Sequence, residues 1–376
     1  MRSYEGHATP REWWDSVARG RHEPRGPWAA AAGALVMLSV PYGIGAAASL
    51  WARALRPARA GVPVISIGNL VAGGTGKTPL TVAVARLLAS EGRSVAIVSR
   101  GHGRRSRGAL VVSQGDGPAV AWQDSGDEPY LMALLTKGIP ILVARRRIDA
   151  VRAALAERPL DAILLDDGFQ HVGLARDLDI VAVDASAPLG NGRLLPAGLL
   201  REHPLGISRA GLIVATRCDR SRSGSRLVAR TLGPLAPRAP IVESRMVAAE
   251  LWDVATGAAV PAADLRGAPA VALSSVADPA GFGLTAREAG LEVVTELPFP
   301  DHHAYGPADH EAVEALARRA GARILATTEK DAVRLAGWRP PLPLIAVGIE
   351  LEVTRGRALL VDALAAALRG RGRQDA

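Results

Sequence analysis

A glycine-rich stretch at residues 68–78 has the clearest chemical pattern in the chain. It reads GNLVAGGTGKT, follows an apolar run at Val62–Ile67 and precedes a segment of helical periodicity at Pro79–Ser90. A glycine-rich turn between a strand and a helix typically binds phosphate through backbone N–H groups, while its lysine contacts the terminal phosphates and its hydroxyl residue binds Mg²⁺. Val71 stands where the usual first glycine would be, so the match is to a variant of this loop. The residues expected to bind the nucleotide are Gly73, Gly74, Thr75, Gly76, Lys77 and Thr78.

Two adjacent aspartates, Asp166 and Asp167, follow another apolar run at Ala162–Leu165. A phosphate-binding loop needs a second metal ligand from the end of a neighbouring strand. We therefore expect one of the two carboxylates to hold Mg²⁺ directly or through water. A glycine-rich turn and an Asp-Asp-Gly turn that bind nothing are the plainer alternative.

Phosphoryl transfer also needs a group that accepts the proton of the attacking hydroxyl, and carboxylates and histidines are suitable. Candidates lie in the segments GDEP at 126–129 and PDHH at 300–303. Spacing alone does not separate either segment from a helix cap or a surface loop.

Two arginines are candidates for phosphate binding because of their position along the chain. Arg147 and Arg201 lie beside the ends of predicted elements, where a guanidinium can bind phosphate oxygens. A separate cluster is expected to face lipid phosphates, and it comprises Arg100, Arg104, Arg105 and Arg107.

Apolar runs and helical periods alternate along the chain, which predicts an α/β fold with a doubly wound, mostly parallel sheet. In the first half, strands are expected at Val62–Ile67, Ser94–Val98, Ile139–Val143, Ala162–Leu165, Leu178–Val183 and Gly211–Ala215, with helices at Pro79–Ser90 and Asp149–Ala156. In the second half, strands are expected at Ala270–Leu273, Glu292–Leu297, Arg323–Ala326 and Leu344–Val347, with helices at Pro279–Ala289, Pro307–Ala320 and Arg355–Leu368.

The residues at 221–240 are rich in Arg, Ser, Gly and Pro, which indicates a domain boundary. We expect a membrane-anchoring segment at 1–60, a P-loop domain at 61–235, a smaller α/β domain at 236–354, and a C-terminal helix and tail at 355–376.

Composition limits the classes of partner. The formal charge of +8 and the pI of about 10.4 suit nucleic acid, anionic lipid or phosphorylated substrates. The chain lacks a run of interleaved arginines and aromatic residues, so a single-stranded nucleic acid is not expected. Only Lys77, Lys137 and Lys330 are lysines among 45 basic residues, and a lysine kept against that bias suggests a need for a compact ammonium. The single Cys218 excludes an intramolecular disulfide and a cysteine-built zinc site.

Residues 27–50 contain no charged side chain. A continuous helix of that length would rise roughly 36 Å, enough for a hydrocarbon core of about 30 Å. A spanning helix, an interfacial hairpin broken at Pro41 and Gly43, and a cleaved signal peptide compete as interpretations. Tryptophans suited to interfacial anchoring flank or enter the segment at Trp13, Trp14, Trp28 and Trp51.

Taken together, the motifs resemble the tetraacyldisaccharide 4'-kinase family, which phosphorylates the 4'-hydroxyl of the lipid A disaccharide precursor with ATP. The matching segments run in the family's order and span most of the chain. They are GNLVAGGTGKTP at 68–79, SRGHGR at 99–104, GDEP at 126–129, DDGFQH at 166–171, LPAGLLRE at 195–202, FPDHH at 299–303 and TEKDAVRL at 328–335. Two small departures are His102, where tyrosine is common, and Leu199, where proline is expected.

The resemblance implies roles for individual residues. Lys77 and Thr78 would bind the ATP phosphates and Mg²⁺, and Asp167 would be the principal metal ligand with Asp166 beside it. Asp127 would accept the proton of the acceptor and pair with His302. Supporting contacts to the metal, nucleotide or phosphates would come from Glu128, Gln170, Arg147 and Arg201. The family also implies two α/β/α domains with an N-terminal membrane element.

We expect a membrane-bound enzyme at the cytoplasmic face of the inner membrane, acting as a monomer on a glycolipid and without a nucleic-acid partner. Two rival classes are a partitioning or transport ATPase and a membrane-tethered regulatory GTPase. The first would carry its signature lysine at position 72, which is Ala72. The second is suggested only by the turn Thr216–Asp219, which resembles a guanine-reading loop with Arg217 in place of lysine.

Overall fold

The computed structural model describes residues 10–20, 27–221 and 223–370. The helices are α1 Pro10–Ala18, α2 Pro27–Ala54, α3 Lys77–Ser90, α4 Trp122–Ser125, α5 Asp127–Leu135, α6 Arg147–Glu157, α7 Ser225–Leu232, α8 Ala262–Leu265, α9 Pro279–Glu288, α10 Pro307–Arg319, α11 Glu329–Leu335 and α12 Arg357–Arg369. The strands are β1 Val64–Gly68, β2 Val95–Ser99, β3 Leu110–Ser113, β4 Ile141–Val143, β5 Ala162–Asp166, β6 Leu178–Asp184, β7 Leu212–Thr216, β8 Ile241–Asp253, β9 Ala259–Val260, β10 Pro269–Ser274, β11 Glu292–Pro298, β12 Ile324–Thr328 and β13 Leu344–Arg355.

The chain divides into two compact units, each made of separate segments of sequence. The first unit comprises residues up to Lys77, Asp167–Ser244, and those from Val353 onward. The second comprises Thr78–Asp166 and Arg245–Glu352. The first residues of the expected anchoring segment, 1–9, and the tail at 371–376 lie outside the described residues.

In the first unit, β1, β6, β7 and the beginning of β8 pair in parallel in that order. Fully buried β-branched and leucine side chains fill these strands, as expected when a parallel sheet is covered on both faces. The close approach of Phe169 to the end of β1 requires glycine at position 68. A Cβ on Gly68 would lie 2.6 Å from the Phe169 Cβ and 2.7 Å from its backbone nitrogen.

The second unit contains two strand groups. In one, β5, β2 and β4 pair in parallel and β3 adds an antiparallel edge. In the other, β11, β10, β12 and β13 pair in parallel. Helix α11 packs against α5 within this unit. The expected α/β class with a mostly parallel sheet is therefore confirmed, whereas the domain boundaries given above stay predictions.

The apolar segment forms the single helix α2, which continues through Pro41 without a break, so the hairpin does not form. Within the described residues, α2 is the one helix long and apolar enough to cross a membrane. One face of α2 contacts the loop at 189–201, where Ser39 Oγ donates to the Leu194 carbonyl at 3.0 Å and Tyr42 OH donates to the Arg201 carbonyl at 3.0 Å. The other face is exposed and apolar, which suggests association with a membrane.

Most predicted elements are present with ends shifted by a few residues. The exceptions are β8, a strand of 13 residues that was not predicted, and β13, which continues to Arg355 beyond its predicted end at Val347. The other additional elements are short. Helix α7 lies inside the region interpreted as a boundary, because Val228 and Leu232 are buried despite the polar residues around them. Helices α5 and α11 were not predicted. Each is too short to show a helical period, and α5 is apolar on most sides.

Replacing Met37 and Ile44 on α2 with aspartate tests the exposed apolar face. These side chains are 73% and 67% exposed, so the double variant should fold normally while losing about 3 to 6 kcal/mol of apolar contact with a bilayer. Sedimentation with phospholipid vesicles should fall strongly. The control is Leu284→Asp, which changes a leucine that is 48% exposed outside α2. Undiminished sedimentation of the double variant would show that another surface binds the membrane.

Candidate active site

The glycine-rich loop of the first unit is fixed by buried polar contacts. The Asn69 side chain is fully buried and donates to the Val71 carbonyl at 2.6 Å and to Thr75 Oγ1 at 2.9 Å. The Thr75 carbonyl accepts from Thr216 Oγ1 at 3.0 Å. Positive φ angles at Gly73 and Gly76, of 103° and 83°, turn the backbone in a way that favours glycine. The loop is therefore held in shape by the protein itself.

Two cationic side chains converge on one carboxylate beside this loop. Lys77 Nζ lies 3.5 Å from Asp167 Oδ1, and Arg201 Nη1 donates to both Asp167 oxygens at 2.9 Å. Asp167 has a φ of 48°, which is unusual for a residue other than glycine and is common where function constrains the backbone. The structure thus brings together the predicted residues Lys77, Asp167 and Arg201.

Gln170 and Glu202 connect the glycine-rich loop to Arg209 through a chain of hydrogen bonds. Gln170 Nε2 donates to the Asn69 carbonyl at 2.8 Å and to Glu202 Oε1 at 2.9 Å. Glu202 is buried and accepts two bonds of 2.8 Å from Arg209 Nη2. Gln170 therefore supports the shape of the loop, while its expected contact with the metal or nucleotide stays a prediction.

Asp166 differs from its neighbour Asp167 in burial. In the second unit, Asp166 is 2% exposed and accepts from Ser99 Oγ at 2.9 Å and from Thr81 Oγ1 at 3.3 Å. The Asp167 side chain is 34% exposed. The more accessible carboxylate is the better candidate for direct contact with a metal, and the buried one is suited to anchoring the end of β5.

The oxygen-rich donors fit Mg²⁺. Thr78, Asp166 and Asp167 offer hydroxyl and carboxylate oxygens, which Mg²⁺ prefers. In the described part of the chain, no three His, Cys, Asp or Glu side chains form a metal cage. That is expected for Mg²⁺ bound with a nucleotide, since phosphates and waters supply most of its ligands.

A second charged cluster surrounds Asp127 in the second unit. Asp127 is the first residue of α5 and is 7% exposed. Its Oδ2 lies 3.0 Å from His302 Nδ1 and 3.8 Å from Arg334 Nε. Lys330 Nζ lies 3.0 Å from His302 Nε2 and 3.2 Å from Glu128 Oε1. The predicted residues Asp127, Glu128 and His302 are thus brought together.

The charges around Asp127 keep it ionised. Burial alone would raise the pKa of Asp127, but the hydrogen bond from His302 and the charges of Lys330 and Arg334 outweigh it and lower the pKa to about 2. Burial by itself would lower the pKa of Lys330. The carboxylates of Glu128, Asp127 and Asp301 have the larger and opposite effect, so the pKa is raised and this side chain stays an ammonium. The surrounding charges therefore favour the ionised form of the buried Asp127 carboxylate.

Helix α11 positions the two cations of this cluster. Asp331, on the same helix, is fully buried and accepts from Ser275 N at 2.8 Å, Tyr305 OH at 3.1 Å and Arg334 Nη2 at 3.0 Å. The side chain of Thr328 caps the helix by accepting from the Asp331 nitrogen. Arg334 therefore lies between a structural carboxylate and Asp127, with its own side chain only 4% exposed.

Comparison with known proteins identifies the family. A model of the family described as tetraacyldisaccharide-1-P 4'-kinase matches residues 31–369. The chain belongs to this family. A relative named tetraacyldisaccharide 4'-kinase from Anaeromyxobacter dehalogenans strain 2CP-C is 44% identical over 364 residues, covering 94% of this chain and 93% of the relative. Another of the same name, from Anaeromyxobacter sp. strain Fw109-5, is 46% identical over 317 residues, covering 84% and 85%.

A solved structure agrees with this membership. The LpxK protein of Aquifex aeolicus, described as an apo form in complex with ATP, superposes with a TM-score of 0.71 at 29% identity and covers 90% of this chain and 99% of its own. The family, the P-loop α/β fold and the kinase activity inferred from the motifs are confirmed, as are lipid A 4'-phosphorylation and the use of ATP with Mg²⁺. The roles of individual residues stay predictions.

Some members of the two clusters were not singled out from the sequence. Lys330 and Arg334 lie in a matching segment, but no role followed from it, and Asn69 and Glu202 were likewise unassigned. The scarcity of lysine was the available signal for Lys330: two of the three lysines belong to these clusters, and Lys137 is exposed. Arg147 is buried at the beginning of α6, after the carboxyl end of β4.

Because the pKa of Asp127 is low, the variant Asp127→Asn should be less stable than wild type by an amount that depends on pH. A fall from 3.8 to about 2 corresponds to about 2 kcal/mol of unfolding free energy, present above pH 4 and lost as the pH falls through 2. Chemical denaturation should therefore show the variant to be less stable at pH 7, with the difference shrinking below pH 4. Asp124→Asn, at an exposed site, is the control. A difference that stays constant down to pH 2 would contradict this cause.

Proposed function

We propose that this kinase transfers the γ-phosphoryl group of ATP to the 4'-hydroxyl of a tetraacylated glucosamine disaccharide-1-phosphate, with Asp127 accepting the hydroxyl proton. The observation that carries the proposal is a buried carboxylate kept ionised beside His302. In this reaction a bond forms between the 4'-oxygen and the γ-phosphorus, the bond to the bridging oxygen of ADP breaks, and the proton passes to Asp127.

The hydrogen bonds of His302 favour Asp127 over the imidazole as the proton acceptor. An ammonium only donates, so the contact with Lys330 makes His302 Nε2 an acceptor and leaves Nδ1–H to donate to Asp127. Both ring nitrogens of His302 are then engaged in hydrogen bonds, so neither offers a free lone pair to the acceptor hydroxyl. Its φ of 60° fits a residue held in place for function. Because the transition state of phosphoryl transfer is loose, positioning by a weakly basic carboxylate suffices.

The glycine-rich loop carries the nucleotide part of the proposal. Residues Gly73 to Thr78 bind phosphates, and Lys77 and Arg201, which now share the Asp167 carboxylate, neutralise phosphate oxygens. Thr78 and Asp167 would hold Mg²⁺, and Asp166 anchors the strand end. When bound, Mg²⁺ neutralises the charge that develops on the phosphates. In this proposal Glu128 and Gln170 support the metal and the nucleotide, and Arg147 contacts phosphates.

Helix α2 supports a location at a membrane surface. Ser39 and Tyr42 lie near the middle of the helix and contact an irregular loop, and irregular backbone is not tolerated in hydrocarbon. We therefore favour a helix that lies in the interface over one that spans the bilayer. The enzyme uses ATP, which is supplied in the cytoplasm, so we place it at the cytoplasmic face of the inner membrane. The free thiol of Cys218 agrees with that reducing compartment. A monomer without a nucleic-acid partner stays a prediction.

The variant Asp127→Ala tests the proton-acceptor role. The purified enzyme is incubated with γ-labelled ATP, Mg²⁺ and the disaccharide-1-phosphate, and the labelled lipid is separated by chromatography. Wild type should label the lipid, and the variant should lose a factor of about 10² to 10⁴ in kcat while ATP affinity changes little. Asp124→Ala should behave as wild type because this side chain is exposed. Wild-type kcat in Asp127→Ala would remove this residue from the role.

The three lysines offer an internally controlled series. Lys77→Met should lower kcat by roughly 10² or more because a phosphate-binding cation is lost. Lys330→Met should lower it by about 10- to 100-fold, since contacts to His302 and Glu128 disappear. Lys137→Met should retain wild-type kcat because this side chain is exposed. Equal rates across the series would contradict the assignment of both clusters to the reaction.

A further inference from the structure

An arginine that precedes α2 in the sequence lies beside the glycine-rich loop of the same unit. Arg19 directly follows α1, and a Cβ built on Gly73 would lie 3.8 Å from Arg19 Nη2. The Arg19 side chain is only 18% exposed, although the residue lies near the beginning of the chain. The family model begins at residue 31, so the family match gives Arg19 no role. Its place beside a phosphate-binding loop makes Arg19 a candidate for contact with the nucleotide.

Contacts made by α1 fix the position of Arg19. Trp14 Nε1 donates to the Pro196 carbonyl at 2.6 Å. At the end of the helix, the Asn191 nitrogen donates to the carbonyl of the fully buried Ala18 at 3.0 Å. Helix α1 is therefore docked on the same loop that contacts α2.

The loop on which α1 is docked is bonded directly to the glycine-rich loop. The Ala72 nitrogen donates to the Leu199 carbonyl at 2.7 Å. The Arg201 nitrogen donates to the Leu70 carbonyl at 2.9 Å. Helix α1 is thus connected to the phosphate-binding turn through short backbone hydrogen bonds, so the place of Arg19 beside Gly73 is held by the surrounding structure.

Asp15 orients the guanidinium of Arg19. Arg19 Nε donates to both Asp15 oxygens at 2.8 Å, one helical turn back along α1. A guanidinium has five N–H donors in one plane, so binding to a carboxylate at Nε is compatible with binding to a phosphate at the Nη end. The atom that faces Gly73 is Nη2, at that end.

We propose that Arg19 binds phosphate oxygens of the ATP held by the glycine-rich loop, and so completes the nucleotide site from the N-terminal segment. The inference rests on the proposed function, because Arg19 reaches the nucleotide only if Gly73 to Thr78 hold its phosphates. A partitioning ATPase would carry a second cation within the loop at position 72, which is Ala72 in this chain. Arg19 brings a cation to the neighbouring residue, and a planar guanidinium can bind two phosphate oxygens at once.

The plainer alternative is that Arg19 only stabilises the end of α1. A cation after the last turn of a helix and an ion pair four residues apart both stabilise a helix. That role depends on the charge of Asp15, whereas phosphate binding does not. A helix-stabilising arginine can also stay in solvent, while Arg19 is largely buried and faces Gly73. Because α2 is expected at a membrane, phosphates of the bilayer are a second source that the experiment must separate.

The test measures the Kd for ATP by calorimetry, with the full chain in neutral detergent, Mg²⁺ present, and neither acceptor nor phospholipid added. Arg19→Met keeps much of the side-chain length without the charge and should raise Kd by roughly 10- to 100-fold. Arg19→Lys keeps the charge and should raise Kd by about fivefold or less. Asp15→Asn removes the ion pair of α1 but keeps the guanidinium, so Kd should stay within about threefold of wild type. Arg56→Ala, at an exposed arginine of the same unit, is the matched control and should leave Kd unchanged.

Each other outcome overturns the inference. A wild-type Kd in Arg19→Met would show that this side chain does not contact the nucleotide. Equal rises in Arg19→Met and Asp15→Asn would mean that Arg19 only holds α1 in place, and equal rises in Arg19→Met and Arg19→Lys would mean that its charge is not used. A rise that appears only when anionic phospholipid is added to the micelles would assign Arg19 to bilayer phosphates.

Two further measurements keep the result clear. Thermal unfolding at the wild-type midpoint shows that each variant is folded. Labelling of the lipid by wild type is scored separately: a wild type that binds ATP and labels no lipid would refute the proposed function, while the Kd series would still decide the role of Arg19.

Discussion

The ionised state of the buried Asp127 is the constraint on which the second unit depends. A carboxylate removed from water loses solvation worth several kcal/mol, so it stays charged only where positive groups surround it. Arg334 and Lys330 supply the positive charge, and His302 donates a hydrogen bond to the carboxylate. Helix α11 carries two of these cations, Lys330 and Arg334. It also carries the buried Asp331, which orients Arg334 through a hydrogen bond.

The first unit also pairs a carboxylate with two cationic side chains. Lys77 and Arg201 meet at Asp167, and a carboxylate is a chemical counterpart of the phosphate oxygens that these cations would neutralise. The loop between them is held by Asn69, Thr216 and Gln170, each bonded to its backbone. A loop held in shape in this way supports the phosphate-binding role proposed above, since positioning is the main way that a protein can assist a loose phosphoryl transfer.

Much of the architecture followed from the sequence because buried parallel strands are continuous apolar runs. The glycine-rich loop was evident for the same local reason, since its strand, turn and helix are consecutive. The pair Asp127–His302 is separated by 175 positions, so spacing could not have joined it, and only the resemblance to a family suggested it. Helix α11 was missed because seven residues cannot show a period. The break expected at Pro41 did not occur, since one absent hydrogen bond does not end a helix held against a loop by Ser39 and Tyr42.

The use of lysine and arginine in this chain separates two kinds of cation site. Most basic residues of this chain are arginines. Lys77 and Lys330 are exceptions, and each occupies a position where one compact ammonium contacts a carboxylate or an imidazole nitrogen. The loop at 100–108 uses arginine throughout, and a guanidinium differs from an ammonium in presenting several donors in one plane. The apolar face of α2, the cluster around Asp127 and the cluster around Asp167 are built from different side chains. A change in one of these groups can therefore be read in its own assay without disabling the others.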